Sequence, residues 1–268
     1  MKPASQFPAS AAHRLTGVLF DLDDTLLDRG RLTVGALTAL YRLAEAGLIL
    51  VGVTGRPAGW GQVLVRQWPI SGMLTENGII ALVQREHRVH VLDRATVEQR
   101  AERRQRLAAL VSELCSRFSE LLPSDDVAGR IADFSFDIAE SRQVDASVVQ
   151  AATELARERG AHVVRSSIQL HLSYDGDDKA SGVLRFLHAA HGVDVSSARH
   201  RFAFVGDSEN DAPCFGAFEH SFGVANLQGR PSLLPAYRAS QPMGAGFAEI
   251  ADIILAGRNA PPEVARKE

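Results

Sequence analysis

The sequence predicts an α/β protein: a Rossmann-like parallel sheet core with helices on both faces, interrupted by an inserted α/β unit built on an antiparallel sheet. Three observations carry this. Short apolar runs alternate with helical periodicities from Gly17 to Val83, as in a parallel sheet wrapped by helices. Each run ends in polar residues, at Asp21, Thr54 and Glu76-Asn77, and such sheets bind ligands at the carboxyl ends of their strands. The alternation breaks off near Gln84 and resumes at Gly176-Asp177-Asp178-Lys179, which marks an insertion.

In chain order, Met1 to Thr16 is rich in Ala, Ser and Pro and is expected to be a loose extension. Gly17 to Asp21 is a strand that runs into carboxylates. Thr33 to Ala46 places Leu37, Leu40, Leu43 and Ala44 at helical spacing, with Gly47 suited to the C-terminal cap. Leu48 to Val53 is a second strand, followed by the turn Thr54-Gly55-Arg56-Pro57 and a helix from Ala58 to Gln67. Gly72 to Leu74 and Ile79 to Val83 are short strands around Thr75-Glu76-Asn77-Gly78.

Within the insertion, Arg88 to Leu92 is strand-like, and Ala95 to Leu122 is a charged amphipathic pattern of one helix or two, broken at Pro123. Phe134, Phe136 and Ile138 alternate with polar partners, as on a half-buried strand. Asp145 can cap a helix to Arg159, and Ala161–Val164 and Ile168–Tyr174 are strands. The main pattern then returns: Gly176-Asp177-Asp178-Lys179 and then a helix to about His191, a strand Phe202–Val205 ending in Gly206-Asp207-Ser208-Glu209-Asn210-Asp211, and a short helix with Pro213 near its first turn. Ser221–Ala225 and Tyr237–Ala239 are strand-like, and Gly246–Leu255 is the closing helix. The expected division is a core of residues 1–84 and 174–268, with 1–15 and 257–268 loose, and an inserted domain of 85–173.

The composition narrows the function. The 268 residues are 46% hydrophobic and carry a net charge of −3, so no basic excess points to nucleic acid. No apolar run approaches the ~20 residues that span a bilayer, and no membrane partner is expected. Two isolated cysteines, Cys115 and Cys214, suit a reducing, cytoplasmic setting better than a disulfide scaffold, and are expected to be small buried apolar residues.

The polar ends Asp21/Asp23, Thr54, Lys179, Asp207 and Asp211 form one chemical set. A positioned carboxylate can act as a nucleophile. Mg²⁺ takes oxygen ligands and bridges protein to phosphate, which Asp21 and Asp207 can supply. Lys179 offers a point charge, and the Thr54 hydroxyl and neighbouring backbone N–H groups can donate to phosphate oxygens. Asp23 can be the acid that protonates a leaving oxygen and then the base that activates water.

Asp21-Leu22-Asp23-Asp24-Thr25, the run into Thr54-Gly55-Arg56, Lys179, and Gly206-Asp207-Ser208-Glu209-Asn210-Asp211 resemble, in order and spacing, the four motifs of the haloacid dehalogenase superfamily. The insertion between Glu76-Asn77-Gly78 and Lys179 resembles the branch with an α/β cap between the second and third motifs, which includes Cof-type, sucrose-phosphate, trehalose-phosphate and mannosyl-phosphoglycerate phosphatases. The resemblance implies Asp21 as nucleophile and metal ligand, Asp23 as acid/base with its carbonyl on the metal, and Thr54, Gly55, Arg56, Lys179 and Asn210 around the phosphate. It further implies Asp207 and Asp211 at the Mg²⁺ site. Asp24 replaces a glycine frequent in that branch. The expected function is Mg²⁺-dependent hydrolysis of a small phosphorylated metabolite, a sugar phosphate, through an aspartyl phosphate. A phosphosugar mutase and a phosphometabolite-binding regulatory protein are the alternatives.

Weaker candidates have plainer readings beside them. Arg56 can pair with phosphate or Glu76, or be a structural ion pair. Glu76 and Asn77 can touch substrate or simply close a turn. Gln169 and His171, with Arg165 and Ser167 nearby, can lie on a polar strand face that looks onto the active site and touches substrate, with a solvated face as the plainer expectation. Arg100, Arg103, Arg104 and Arg106, interleaved with Glu98 and Glu102, are expected on a solvated helix face. Trp60 and Trp68 are expected to pack on the sheet, with Trp60 close enough to Thr54 to edge the site.

Overall fold

The computed structural model describes residues 1–227, 229 and 231–261. It divides into two compact units: residues 1–53, 68–72 and 184–268 form the first, and 54–67 and 73–183 the second.

The first unit opens with β1 (Lys2–Pro3) and α1 (Ala9–Arg14), followed by β2 (Gly17–Phe20), β3 (Leu27–Asp28), β4 (Arg31–Leu32), α2 (Val34–Glu45) and β5 (Ile49–Val53). The second contains α3 (Ala58–Gln67), β7 (Ile80–Arg85), β8 (Arg88–Leu92), α4 (Val97–Arg117), β9 (Leu122–Pro123), β10 (Phe134–Asp137), α5 (Ala146–Glu158), β11 (His162–Arg165) and β12 (Gln169–Ser173), with β6 (Gly72–Thr75) and α6 (Lys179–His191) at its borders. The first unit closes with α7 (Val195–Arg201), β13 (Phe202–Gly206), α8 (Ala212–Ala217), β14 (His220–Gly223), β15 (Tyr237–Arg238) and α9 (Met243–Asn259).

The sheet of the first unit is parallel: β1 pairs β15, β15 pairs β14, β14 pairs β13, β13 pairs β2 and β2 pairs β5. Its central strands β2, β13 and β14 are buried on both faces, and α9 packs against α1 and α2. Gly17 is required where it stands, since a Cβ there would come within 2.4 Å of both the Ile49 carbonyl and the Phe202 ring.

Residues 1–15, expected to be loose, carry β1 and α1 and are packed. Lys2 N–H donates to Ala236 O at 2.8 Å, and the Phe7 ring meets His220, Phe222 and Tyr237 edge-on at 5.1–5.4 Å. The composition concealed this because small alanines bury completely in α1 (Ala11 and Ala12) while contributing little to an apolar run. At the other end, α9 reaches Asn259, three residues into the stretch expected to be loose; residues 262–268 lie outside those described.

The second unit has two antiparallel arrangements, β6–β7–β8 and the four-stranded β11–β12–β10–β9. The charged pattern after Ala95 is one helix, α4, started by a Thr96/Gln99 capping box. It ends at Phe118, ahead of Pro123, which lies in a strand. Leu107, Leu110 and Leu114 of α4 and Leu155 of α5 cover the sheet residues Phe136, Leu170 and Leu172. This unit takes in more than residues 85–173: α3 packs on β7, and backbone bonds tie the 54–57 turn to residues 74–77.

Among the described residues, no helix is long and apolar enough to cross a membrane. Cys115 is exposed, not buried as expected, and Cys214 is buried.

Candidate active site

In the first unit the apolar strand β2 delivers Asp21. Its N–H donates to Val205 O at 2.9 Å, so sheet bonding to β13 continues one residue past the strand. The chain then folds over sharply: Leu22 O accepts from the N–H groups of Thr25, Leu26 and Leu27 at 3.3, 3.0 and 2.8 Å, while Leu22 and Leu26 anchor the loop in the core. Asp24 lies at its bend with φ +56°, in the left-handed region that favours glycine. That is the backbone reason why a glycine suits the position. Asp24 is half-buried, and burial together with the Asp23 charge raises its pKa.

Strand β13 runs beside β2 with Val205 opposite Phe20, which brings Asp207 to the same sheet edge as Asp21. Gly206 gives room: a Cβ there would sit 2.5 Å from the Asp211 carboxylate. Asp211 folds back so that its Oδ2 accepts from the N–H groups of Asp207 (2.9 Å) and Ser208 (3.1 Å). Thr25 Oγ1 donates to Asp207 Oδ1 at 3.3 Å, and Asn226 Nδ2 donates to Asp207 Oδ2 at 3.4 Å and to Asp24 O at 2.8 Å. Ser208 Oγ donates to Asn210 Oδ1 at 2.6 Å.

Asp21, Asp207 and Asp211 are all buried, and each offers a carboxylate oxygen within 4.8 Å of the other two. Three converging carboxylates make a hard, all-oxygen donor set, which fits Mg²⁺ and disfavours softer metals.

The second unit holds the other expected residues. In the turn after β5 the carbonyls of three consecutive residues are occupied: Thr54 O accepts from Asn77 N–H (3.0 Å), Gly55 O from Arg130 (3.0 Å) and Arg56 O from Glu76 N–H (3.0 Å). Thr54 Oγ1 accepts from Arg56 N–H at 3.0 Å. Glu76 and Asn77 both have φ above +50°, a strained pair, and Gly78 follows at φ +93° against the start of α6, where a Cβ would meet Asp178 O at 2.5 Å. The Glu76–Gly78 turn thus abuts the residues that carry Lys179, whose side chain is buried.

Beneath these turns lies a charged network that the sequence reading did not find. Glu76 Oε1 accepts from Ala58 and Ile131 N–H (3.2 and 2.9 Å) and Oε2 from Ala132 and Asp133 N–H (2.6 and 2.9 Å). Even so, complete burial and the nearby Asp133 charge push its pKa up to about 7. Arg130 binds both oxygens of Asp133 at 2.9 and 3.0 Å, Asp126 at 3.0 Å and Gln169 Oε1 at 3.0 Å. Burial raises the Asp133 pKa as well.

Arg56 pairs with Glu140 at 2.6 Å and Asp126 at 3.3 Å, with its guanidinium 4.7 Å over the Trp60 ring. This is the structural ion pair, and it gives Trp60 a second task beyond packing. Gln169 and His171 are not on a solvated face. Both are buried, Gln169 against Arg130 and Glu140 and His171 with Nδ1 3.1 Å from Asp133 Oδ2. The arginines of α4 are not merely solvated either. Arg100 is buried between Asp93 and Asp175, Arg103 pairs with Asp175, Arg104 donates to two backbone carbonyls, and Arg106 lies 4.0 Å over the Tyr174 ring.

No family model matches the chain. It is 29% identical over 247 residues to the phosphoglycolate phosphatase of Pyrobaculum neutrophilum, covering 90% of this chain and 96% of that one. Among solved structures it superposes on a phosphatase of the haloalkanoate (HAD) enzyme superfamily from Bacteroides thetaiotaomicron with TM-score 0.65 and 16% identity, covering 91% and 96% of the two chains. It superposes on the sucrose-phosphatase of Synechocystis, solved with sucrose and phosphate, with TM-score 0.62 and 18% identity over 91% and 98%.

Proposed function

We propose that this chain, a phosphoric monoester hydrolase of the haloacid dehalogenase superfamily, is a Mg²⁺-dependent phosphatase that hydrolyses a small phosphorylated metabolite, a sugar phosphate, through an aspartyl phosphate. The observation that carries the reading is the convergence of Asp21, Asp207 and Asp211 at one sheet edge. Asp21, Asp207 and Asp211, with the Asp23 carbonyl, would hold the ion, which when bound neutralises charge on the phosphate and the carboxylates.

The protein's own groups then divide the work. The Asp21 carboxylate attacks phosphorus. Asp23 gives its proton to the departing oxygen and afterwards takes one from the water that cleaves the acyl phosphate. Thr54, the Gly55 N–H, Lys179 and Asn210 bind phosphate oxygens. Arg56, the remaining member of the expected phosphate set, acts here through its ion pairs by holding the turn in shape. Thr25 and Asn226 orient Asp207. Residues 85–173 serve as the cap that selects the leaving group, in a cytoplasmic setting.

The test is phosphate release from a panel of phosphorylated metabolites with Mg²⁺, with chelator, and with Asp21→Asn. Release that needs Mg²⁺ and is lost with Asp21→Asn is expected. Full activity in that variant would rule out Asp21 as nucleophile, and isomerised hexose phosphate without free phosphate would point to a mutase.

A further inference from the structure

Strand β8 is an open sheet edge. It pairs with β7 on one side only, and among the described residues no other backbone group bonds to residues 88–92. Arg88, His90, Val91 and Leu92 are exposed. Edges left open are commonly shortened or interrupted by proline; β1 has two residues, one of them Pro3, whereas β8 has five and no proline. The hairpin fixes which groups point outward. Glu86 and His87 form its two-residue turn, both with positive φ (+48° and +64°), and Arg85 lies opposite Arg88. That closing pair is hydrogen-bonded and the pairs alternate from there. Arg88, His90 and Leu92 are therefore bonded to β7, while the N–H and C=O groups of Val89 and Val91 point away from it.

A second copy of β8 fits this edge. Leu82 faces α3, since a Cβ on Gly61 would meet its Cδ1 at 2.6 Å, and Val91 lies opposite Leu82. Val89 and Val91 share that apolar face. When two copies pair antiparallel about a two-fold axis normal to the sheet, like faces align only if one residue sits on the axis. Charge selects that residue. Centred on Val91, Arg88 would oppose Arg94 of the second copy; centred on Val89, Arg88 would oppose His90 and Glu86 would meet Leu92. Centred on His90, Val89 and Val91 pair with each other in both directions through their outward N–H and C=O groups. Glu86, which is exposed, then faces Arg94 of the second copy, whose side chain is 67% exposed beside Asp177. Each copy's edge is consumed by the other, so the contact closes at two.

We propose that β8 is a self-association surface through which two copies of this chain join edge to edge, antiparallel, in the register centred on His90. Five residues from each copy make a small contact, so the dimer is weak and depends on concentration. The proposal is independent of the phosphatase reading.

Sedimentation of the full chain tests it. Between about 5 and 500 µM the average mass should rise from one chain toward two, as expected of a small contact. Val91→Pro removes an outward N–H without touching the β7 ladder, and should weaken association at least about tenfold, since symmetry deletes two bonds. Cysteine cross-linking reads the register, in a Cys115→Ser background because Cys115 is exposed. On the axis His90 faces itself with Cα atoms about 4.5 Å apart, within disulfide reach, so His90→Cys should cross-link under mild oxidation. Arg88→Cys, on the same face, would lie about 13 Å along the strand from its counterpart and should stay free. A single-chain mass throughout, growth beyond two copies, association unchanged in folded Val91→Pro, or cross-linking of Arg88→Cys as readily as His90→Cys overturns the proposal. The wild-type masses and the exposed cysteine sites keep the test intact if Val91→Pro misfolds.

Discussion

The two units treat buried carboxylates in opposite ways. In the first, Asp21, Asp207 and Asp211 converge until their ligand atoms lie within 4.8 Å, and donors such as Thr25, Asn226 and two backbone amides fix where they point. In the second, Asp126, Asp133, Glu140 and Glu76 are spread out, the first three on the guanidinium groups of Arg56 and Arg130 and the last on four backbone amides. Like charges brought together create demand for a cation. Opposite charges interleaved remove that demand and fix geometry instead. On the proposed reading the first arrangement is the reactive one, and the second is a frame for the turns at Thr54 and Gly78.

The strongest way to break this contrast is Asp21→Asn. If the first cluster is the reactive one, phosphate release should fall by at least about a thousandfold with little change in the unfolding midpoint; a modest loss would place the nucleophile elsewhere. Next, Arg130→Met removes the hub of the second network and strands buried carboxylates, which should cost about 3–5 kcal/mol in urea unfolding. A loss below about 1 kcal/mol would mean that the network does not hold its unit together.

Glu76 gives a pH-resolved version of the same comparison. Its folded pKa, about 7, stands above the ordinary value of 4.5, so the folded protein binds this proton more tightly than the unfolded chain. Its contribution is therefore fully present below pH 4.5 and is lost as pH rises through about 7, an effect of about 3 kcal/mol. The depressed His171 pKa works in the opposite direction, so the measurement is the difference between wild type and Glu76→Gln across pH 5–8. That difference should narrow as pH rises, because only wild type loses this proton's contribution; a constant offset would show that Glu76 does not titrate there. The smallest effect is expected from Asp24→Gly, which relieves a left-handed aspartate in the first unit and should stabilise by about 0.5–1 kcal/mol. Destabilisation would mean that the Asp24 side chain supports the loop.

Much of the first unit was legible because its strands are uninterrupted apolar runs that stop at carboxylates, and Asp21, Asp207 and Asp211 fall where strand ends put them. Asn226 could have been found by the same rule, since it follows β14, but a lone Asn after a strand looks like a turn. The second network was hidden for a different reason. Its members, at 56, 76, 126, 130, 133, 140, 169 and 171, are scattered in sequence and meet only through pairing of β10 with β12 and the Glu76 contacts. Alternation along β12 correctly separated polar Gln169 and His171 from apolar Leu170 and Leu172, but it cannot say whether water or ion pairs cover the polar side. The interleaved charges of α4 have the same ambiguity, because a helix periodicity does not reveal Asp93 and Asp175.

The packed opening segment also bears on how the chain behaves in concentrated solution. Strand β1 covers the outer side of β15 with only two residues, one of them Pro3, which has no N–H to offer a further strand, and Phe7 seals the aromatic surface behind it. Without residues 2–15, the β15 edge and the Phe222 and Tyr237 rings would face other molecules, and an open edge beside apolar rings is where intermolecular sheet growth starts. These residues, which take no part in the carboxylate cluster, cover an edge that would otherwise be open to such growth.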